Sequence, residues 1–237
     1  MLSSLRVALD RLPLANRTDA VELLDSGCLS LPEIEQNLAD LVRLNRLPGG
    51  IATSVEGIRQ LAGAGGRLRV LDAGAGRADM PLAFAGHGWR TVALDTNPDV
   101  LLVARREAAG EPAVEVVGGD ARRLPFADGA FDVAHCSLLI HHLGPRDAVT
   151  ALEELARVAT LGVVINDLRR GIWPLAATWV SIGALGRSGV TMRDGLVSAR
   201  RAYTLDELDG LLAEAGLVTR WRSSRWLPRV VTSASRA

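Results

Sequence analysis

Four aspartates and two glycines carry the first chemical signal in the chain. The stretch Arg67-Leu-Arg-Val-Leu-Asp-Ala-Gly-Ala-Gly-Arg-Ala-Asp79 reads as a short buried strand ending in an acid, then a glycine turn, then a helix. Such a unit brings backbone N–H groups close to a nucleotide-like ligand, with glycine where a Cβ would collide. Two further apolar runs also end in acids, Arg90-Thr-Val-Ala-Leu-Asp95 and Ala113-Val-Glu-Val-Val-Gly-Gly-Asp120. Asp95 follows Gly76 by 19 residues, the spacing at which a strand-end acid accepts hydrogen bonds from ribose hydroxyls. Asp120 can accept from the amine of adenine, with the N–H of Ala121 meeting a ring nitrogen. The alternative is that these acids only form turns and cap helices. The spacing Gly74-x-Gly76-x-x-Asp79 misses the dinucleotide fingerprint, which places a third glycine where Asp79 stands, beside a pyrophosphate. A carboxylate there repels phosphates, and Asp72 and Asp79 together suit a cationic ligand. S-adenosylmethionine, with its sulfonium and ammonium, fits that sign.

Composition narrows the classes further. With 237 residues, 48% hydrophobic and 23% charged, the chain fits one α/β domain with an extension and a sizeable core. Formal net charge is zero, so neither nucleic acid nor an anionic membrane is an expected partner. All 27 basic side chains counted as Lys or Arg are arginine. The absence of lysine removes the Walker phosphate loop, Schiff-base chemistry and the protein-kinase scheme. Cys28 and Cys136 lack metal-ligand spacing, so no metal is expected and reduced thiols in a cytoplasmic protein are the simpler reading. The first residues lack the apolar centre of a signal peptide.

The elements that must position the acids follow from periodicity. Residues 1–66 read as a helical amino-terminal extension, in which Ile34, Leu38, Leu41, Leu44 and Leu47 share one helix face, ended by Pro48-Gly-Gly50. A second helix fits Ser54 to Leu61. Residues 67–237 read as the cofactor-binding domain. Its strands are expected near 68–71, 91–94, 114–117, 131–135 and 163–166, alternating with helices near 80–87, 98–109 and 146–159. This predicts a doubly wound α/β fold with a mostly parallel sheet, where ligands bind beyond the carboxyl ends of the strands. Residues 169–201 break the alternation and read as an inserted cap over the substrate end. Thr204-Leu-Asp-Glu207 is a capping box, and two last strands fit near 218–222 and 229–232.

The motifs together resemble the class I S-adenosylmethionine-dependent methyltransferases, of the small-molecule type related to ubiquinone-biosynthesis enzymes. The matching segments are Val70-Leu-Asp-Ala-Gly-Ala-Gly76, Ala93-Leu-Asp95, Gly119-Asp-Ala121, Leu124-Pro-Phe-Ala-Asp-Gly-Ala-Phe-Asp-Val133, Ser137-Leu-Leu-Ile-His-His-Leu143 and Glu154-Leu-Ala-Arg-Val158. More loosely, Ile165-Asn-Asp-Leu-Arg-Arg170 and the amino-terminal helices resemble methyltransferases of bacterial polyketide pathways. Ala78 replaces the last glycine of the family loop, and Ala159-Thr-Leu-Gly162 replaces its Pro-Gly-Gly. The resemblance implies a seven-stranded Rossmann-like sheet with a reversed last hairpin. It implies that Asp72, Gly74 and Gly76 hold the methionine half of the cofactor, Asp95 with Thr96 and Asn97 the ribose, and Asp120 with Ala121 the adenine. Ser137 is expected to offer a backbone contact.

Methyl transfer from a sulfonium asks little of side chains beyond alignment. A base is needed for a protonated hydroxyl, and His141 and His142, just after the fourth strand, are the candidates; the alternative is that they cap or pack a helix. Asn166, Asp167 and Arg169 are candidates for substrate contacts, with strand-end turn chemistry as the alternative. Trp173 and Trp179 are expected either to wall an aromatic pocket or to pack the inserted segment. Arg43 and Arg46 are read as reaching the cofactor carboxylate or as a solvated helix face. The expected function is methyl transfer to a small molecule, most simply a hydroxyl of an aromatic or polyketide-like metabolite, by a monomer or homodimer. A non-catalytic cofactor-binding module and an NAD-type oxidoreductase are the alternatives.

Overall fold

A seven-stranded sheet in the order β3-β2-β1-β4-β5-β7-β6 organises the computed structural model, which describes residues 16–47, 49–63, 65–223 and 229–237. The strands are β1 (Arg69–Ala73), β2 (Arg90–Asp95), β3 (Val114–Gly118), β4 (Phe131–Ser137), β5 (Ala159–Leu168), β6 (Leu217–Arg222) and β7 (Arg229–Arg236). β1 to β5 are parallel, and β7 runs antiparallel to both β5 and β6. The central strands are apolar on both faces because helices cover both. On one face Leu152 and Leu155 of α5 (Pro145–Val158) are fully buried against β4 and β5. On the other, Val55 and Ile58 of α2 (Ile51–Ala62) meet Phe84 of α3 (Asp79–Ala85) over Val70, Val133 and Val164. Each such side chain contributes roughly 1.5–3 kcal/mol by leaving water.

The strand order reverses between β1 and β4, which opens a crevice at their carboxyl ends. α1 (Leu31–Asn45) starts at a Ser30–Glu33 capping box, ends before Pro48, and crosses this crevice. Of the stretch read as a helical extension, Leu31–Asn45 and Ile51–Ala62 are helical; residues 1–15 lie outside the described residues, as does Pro48 itself. The inserted segment forms a helical hairpin of α6 (Ile172–Leu185) and α7 (Gly189–Arg201). α1 anchors it through Asp40, which is fully buried and accepts from the N–H groups of Arg187 and Ser188, both at 2.9 Å, and from Thr191 Oγ1 at 2.7 Å. A side chain on one helix thus satisfies the open N-terminus of another. α4 (Pro98–Ala108) and α8 (Leu205–Glu214) complete the set, the latter opened by the Thr204–Glu207 capping box. Among the described residues, no helix is long and apolar enough to cross a membrane.

Two loop positions carry backbone constraints that residue type alone does not display. Ala78, which replaces the last glycine of the family loop, sits in the left-handed region at φ 62°, which disfavours an L side chain by about 1–2 kcal/mol. Its methyl is fully buried among Ala75, Ala93 and Ala104, which offsets part of that cost. Gly162, at φ 149°, lies where a Cβ would meet the Ala234 carbonyl oxygen at 2.3 Å, so β5 and β7 can pair only with glycine there.

Candidate active site

The glycine turn after β1 is closed by the sheet itself. The Leu94 carbonyl accepts from Gly74 N at 2.8 Å and Ala75 N at 3.0 Å. Gly74 takes φ 73°, and a Cβ on it would press Leu139 Cδ1 at 3.1 Å. Asp95, at the tip of β2, then accepts from Gly76 N at 3.2 Å and Asn97 N at 3.0 Å. Asn97 caps α4. Asp72, Gly74, Gly76, Asp95, Thr96, Asn97, Asp120, Ala121 and Ser137 all line one cavity of about 580 Å³. Asp120 is the most engaged of them, since Arg122 donates to both of its oxygens, at 2.6–3.1 Å. The bonds to Arg122 hold its carboxyl below the usual range, and its remaining lone pairs can still accept.

Long-range contacts build the methionine end of this cavity. Asp72 accepts from the ring of His135 at 2.6 Å, and His135 meets Ser54 of α2 at 2.9 Å. Asn166 donates to the same Ser54 at 2.7 Å and accepts from Arg229 Nε at 3.1 Å. Arg229 also donates to Ser137 Oγ at 2.8 Å and to Asn45, whose amide donates to Asp79 at 2.8 Å. Arg229 lines the cavity; burial pulls its pKa down to about 10, against the pull of Asp167 and Asp79. A ligand carboxylate entering this end of the cavity would meet its guanidinium. Arg43 is instead committed to Asp40 and the Leu185 carbonyl, and Arg46 is exposed. The sequence reading missed Arg229, Asn45, Ser54 and His135.

The groove fits the cofactor electrostatically. Asp72 lines the cavity, is 1% exposed, and its Oδ2 has no hydrogen-bond partner. A buried unpaired carboxylate oxygen is costly, and an ammonium would satisfy it. Burial raises the pKa of Asp79, aided by nearby Asp72 and opposed by the Asn45 bond; burial likewise raises that of Asp95. A cationic ligand favours both ionised forms, so its binding releases protons. S-adenosylmethionine affinity is therefore expected to rise with pH just above the ordinary carboxylate range and then level off. Calorimetric titration across that range checks this; a flat profile would remove these acids from the binding step.

The carboxyl ends of β4 and β5 supply the other part of the cavity. His141 and His142 lie in a short 3₁₀ turn, Ile140–His142, and both line it. Asp167 accepts from His141 Nδ1 at 2.6 Å and from His141 N at 3.1 Å. Asp25 accepts from His142 Nδ1 at 2.6 Å. Burial opposes charging of His141, yet Asp167 and Glu22 more than offset it and hold its pKa up at about 9. His141 is only 2% exposed, and its Nε2 is buried behind Glu22, so His142 is the more open of the pair. Glu22 was not singled out in the sequence.

The four residues expected to contact substrate lie outside the cavity lining. Asn166 is fully buried in the polar network beneath the cofactor end, and neither it nor Arg169 lines the cavity. Asp167 does not line it either and acts on His141 instead. Trp173 and Trp179 are 59% and 60% exposed, because the inward positions of α6 are Pro174, Thr178 and Ile182. The hairpin does cover the cavity, but Thr178, Ser181, Thr191 and Ser198 line it rather than tryptophan.

Residues 70–162 match the Methyltransferase domain family. A demethylmenaquinone methyltransferase of Parafrankia sp. (strain EAN1pec) is 31% identical over 193 residues, covering 71% of this chain and 73% of that protein. The demethylmenaquinone methyltransferase of Clavibacter sepedonicus is 39% identical, but the match covers 40% of this chain and only 38% of that protein. A solved structure from Bacillus halodurans C-125, assigned as a methyltransferase, is 27% identical with a TM-score of 0.55, covering 73% of this chain and 71% of that one. The chain belongs to the class I S-adenosylmethionine-dependent methyltransferases.

Proposed function

We propose that the protein methylates a hydroxyl on a flat, oxygen-bearing ring molecule of the aromatic or polyketide-like kind. One observation carries this reading: a single cavity runs from the strand-end acids to the histidine pair, beneath a hydroxyl-lined cap. Its apolar wall, with Leu24, Leu41, Leu139 and Leu143, suits the faces of a ring. The threonines and serines of the hairpin suit oxygens on its rim. Relatives that are demethylmenaquinone methyltransferases support an acceptor of this shape.

S-adenosylmethionine supplies a methyl group on a good leaving group. The chain's task is to hold the acceptor oxygen in line with it, and positioning of this kind is worth roughly 7–11 kcal/mol. As the oxygen takes the methyl, its proton passes to the cluster at His142, and the S–C electron pair stays on sulfur. Asp25 fixes the His142 ring, while Asp167 fixes His141 behind it.

A panel of phenolic and quinol acceptors with S-adenosylhomocysteine readout tests the reading. Turnover with at least one phenolic acceptor is expected; cofactor binding without product across the panel would favour a non-catalytic binding module. At saturating cofactor, His142→Gln is expected to lower kcat about tenfold, below the usual range of general-base effects because a phenol ionises partly unaided. Near-wild-type turnover in both His141→Gln and His142→Gln would end the proton-handling role.

A further inference from the structure

We propose that Glu22, His141 and His142 form a binding site for one divalent first-row transition-metal cation, zinc being the natural probe. The two imidazoles are prepared identically. Each Nδ1 is held by a carboxylate at 2.6 Å, Asp167 for His141 and Asp25 for His142. That is the outer-shell arrangement that fixes the tautomer of a metal-ligating histidine and turns its Nε2 lone pair toward the ion. Both Nε2 atoms face the same third group. His141 Nε2 lies 3.5 Å from Glu22 Oε1, and His142 Nε2 lies 3.7 Å from Glu22 Oε2.

The spacing is that of ligands around a small cation. One ligand atom from each residue lies within 4.8 Å of the others. Ligands at about 2.0–2.2 Å from a tetrahedral ion stand roughly 3.3–3.6 Å apart; each imidazole Nε2 lies at about that distance from one oxygen of Glu22, a different one for each ring. Glu22 is 4% exposed and His141 2%, and neither Glu22 Oε1 nor His141 Nε2 has a hydrogen-bond partner. A cation would take the place of the proton that His141 holds toward Glu22, bonding the ring nitrogens and the carboxylate together. One cation meets all three groups at once. Two imidazoles with one carboxylate suit zinc, iron(II) or manganese(II) better than magnesium or calcium, which prefer oxygen alone.

The third ligand comes from the amino-terminal segment, and the fold takes care to place it. Asp194 of α7 accepts from Leu23 N at 2.9 Å and Leu24 N at 3.1 Å. Arg17 donates to the carbonyls of His141 and Leu143 at 2.6 and 2.7 Å. All three ligands line the cavity, so an open coordination position would face the acceptor. A cation there acidifies a hydroxyl that reaches it, and in the metal-loaded protein this replaces proton acceptance by His142. That chemical use rests on the proposed function; the binding itself does not.

The test uses the full chain stripped with a chelator. Zinc is titrated by calorimetry, and cobalt(II) by its visible absorption, which reports nitrogen and oxygen ligands directly. One equivalent per chain is expected. Glu22→Gln and His142→Gln should each weaken binding at least about tenfold, and Asp25→Asn, acting through His142, by a similar factor at most. S-adenosylmethionine binding by the same variants should be unchanged, which shows that they are folded. No cobalt spectrum, or zinc binding that survives both Glu22→Gln and His142→Gln, would overturn the proposal and leave the cluster occupied by protons. Cobalt binding without methylation of any acceptor would sink the proposed function and leave this site standing.

Discussion

Asp95→Ala is expected to weaken S-adenosylmethionine binding about 100-fold with little change in the fold. Asp95 is only partly buried, and its oxygens serve the Gly76 and Asn97 N–H groups and the cavity. A ribose presents two adjacent hydroxyls, and a hydrogen bond to a charged acceptor contributes about 1.5–3 kcal/mol. Losing even one strong bond and part of another therefore reaches about 2.7 kcal/mol, a factor of about 100. Asp95→Asn keeps one acceptor oxygen and should fall between. Thr96 is a useful control, being exposed at the rim of the same cavity. Calorimetry with S-adenosylhomocysteine, which lacks the sulfonium charge, separates the two contributions. The ribose argument requires the loss to be nearly equal for both ligands. A large loss confined to S-adenosylmethionine would mean that Asp95 acts by charge alone, and an unchanged Kd would remove it from the site.

What was legible in the sequence is what is local. Asp72, Gly74, Gly76, Asp95, Asp120 and Ala121 each sit on a strand–turn–helix unit whose geometry depends on a dozen neighbouring residues, and one cavity gathers them. The strands were legible for the same reason, because continuous apolar runs bounded by acids admit few alternatives. The rest depends on partners far apart along the chain. Arg229 meets Asn45 across 184 positions, and Arg17 meets the His141 carbonyl across 124; no spacing rule reaches that far. Glu22, in a short apolar stretch, gave no sign that it would face two histidines. The tryptophans failed for a different reason. α6 carries no charged residue, so its sequence does not say which face turns inward. Its inward side is the one that carries Pro174, Thr178 and Ile182, and Ile172, Trp173, Trp179 and Val180 are left exposed. Ala78 shows the reverse limit: the residue type looked harmless, and only the backbone angle revealed its cost.

Asp167→Ala is expected to destabilise the chelator-treated protein by about 3–5 kcal/mol, the cost of leaving one member of a buried charged pair alone. Asp167 sits near the end of β5, is 7% exposed, and fixes the turn after β4 by accepting from both the ring and the backbone N–H of His141. Burial alone would raise its pKa, but His141 more than compensates and keeps the carboxyl below its usual range. The carboxylate is therefore bound more tightly in the fold than in the unfolded chain. Against a typical total of about 5–15 kcal/mol, the loss is severe, and for a chain of this length it corresponds to a fall in Tm of roughly 6–20 °C. The surface pair Arg122–Asp147, whose partners are both near half exposed, supplies the contrast. Arg122→Gln should cost no more than about 1 kcal/mol through that pair. Asp167→Asn retains an oxygen for the His141 N–H and should lie between the two. Chemical denaturation of the three variants checks the order. A loss under about 1 kcal/mol for Asp167→Ala would mean that the turn after β4 is held by Arg17 and Arg201 on its carbonyls instead, and that the histidine pair does not depend on Asp167 for its place.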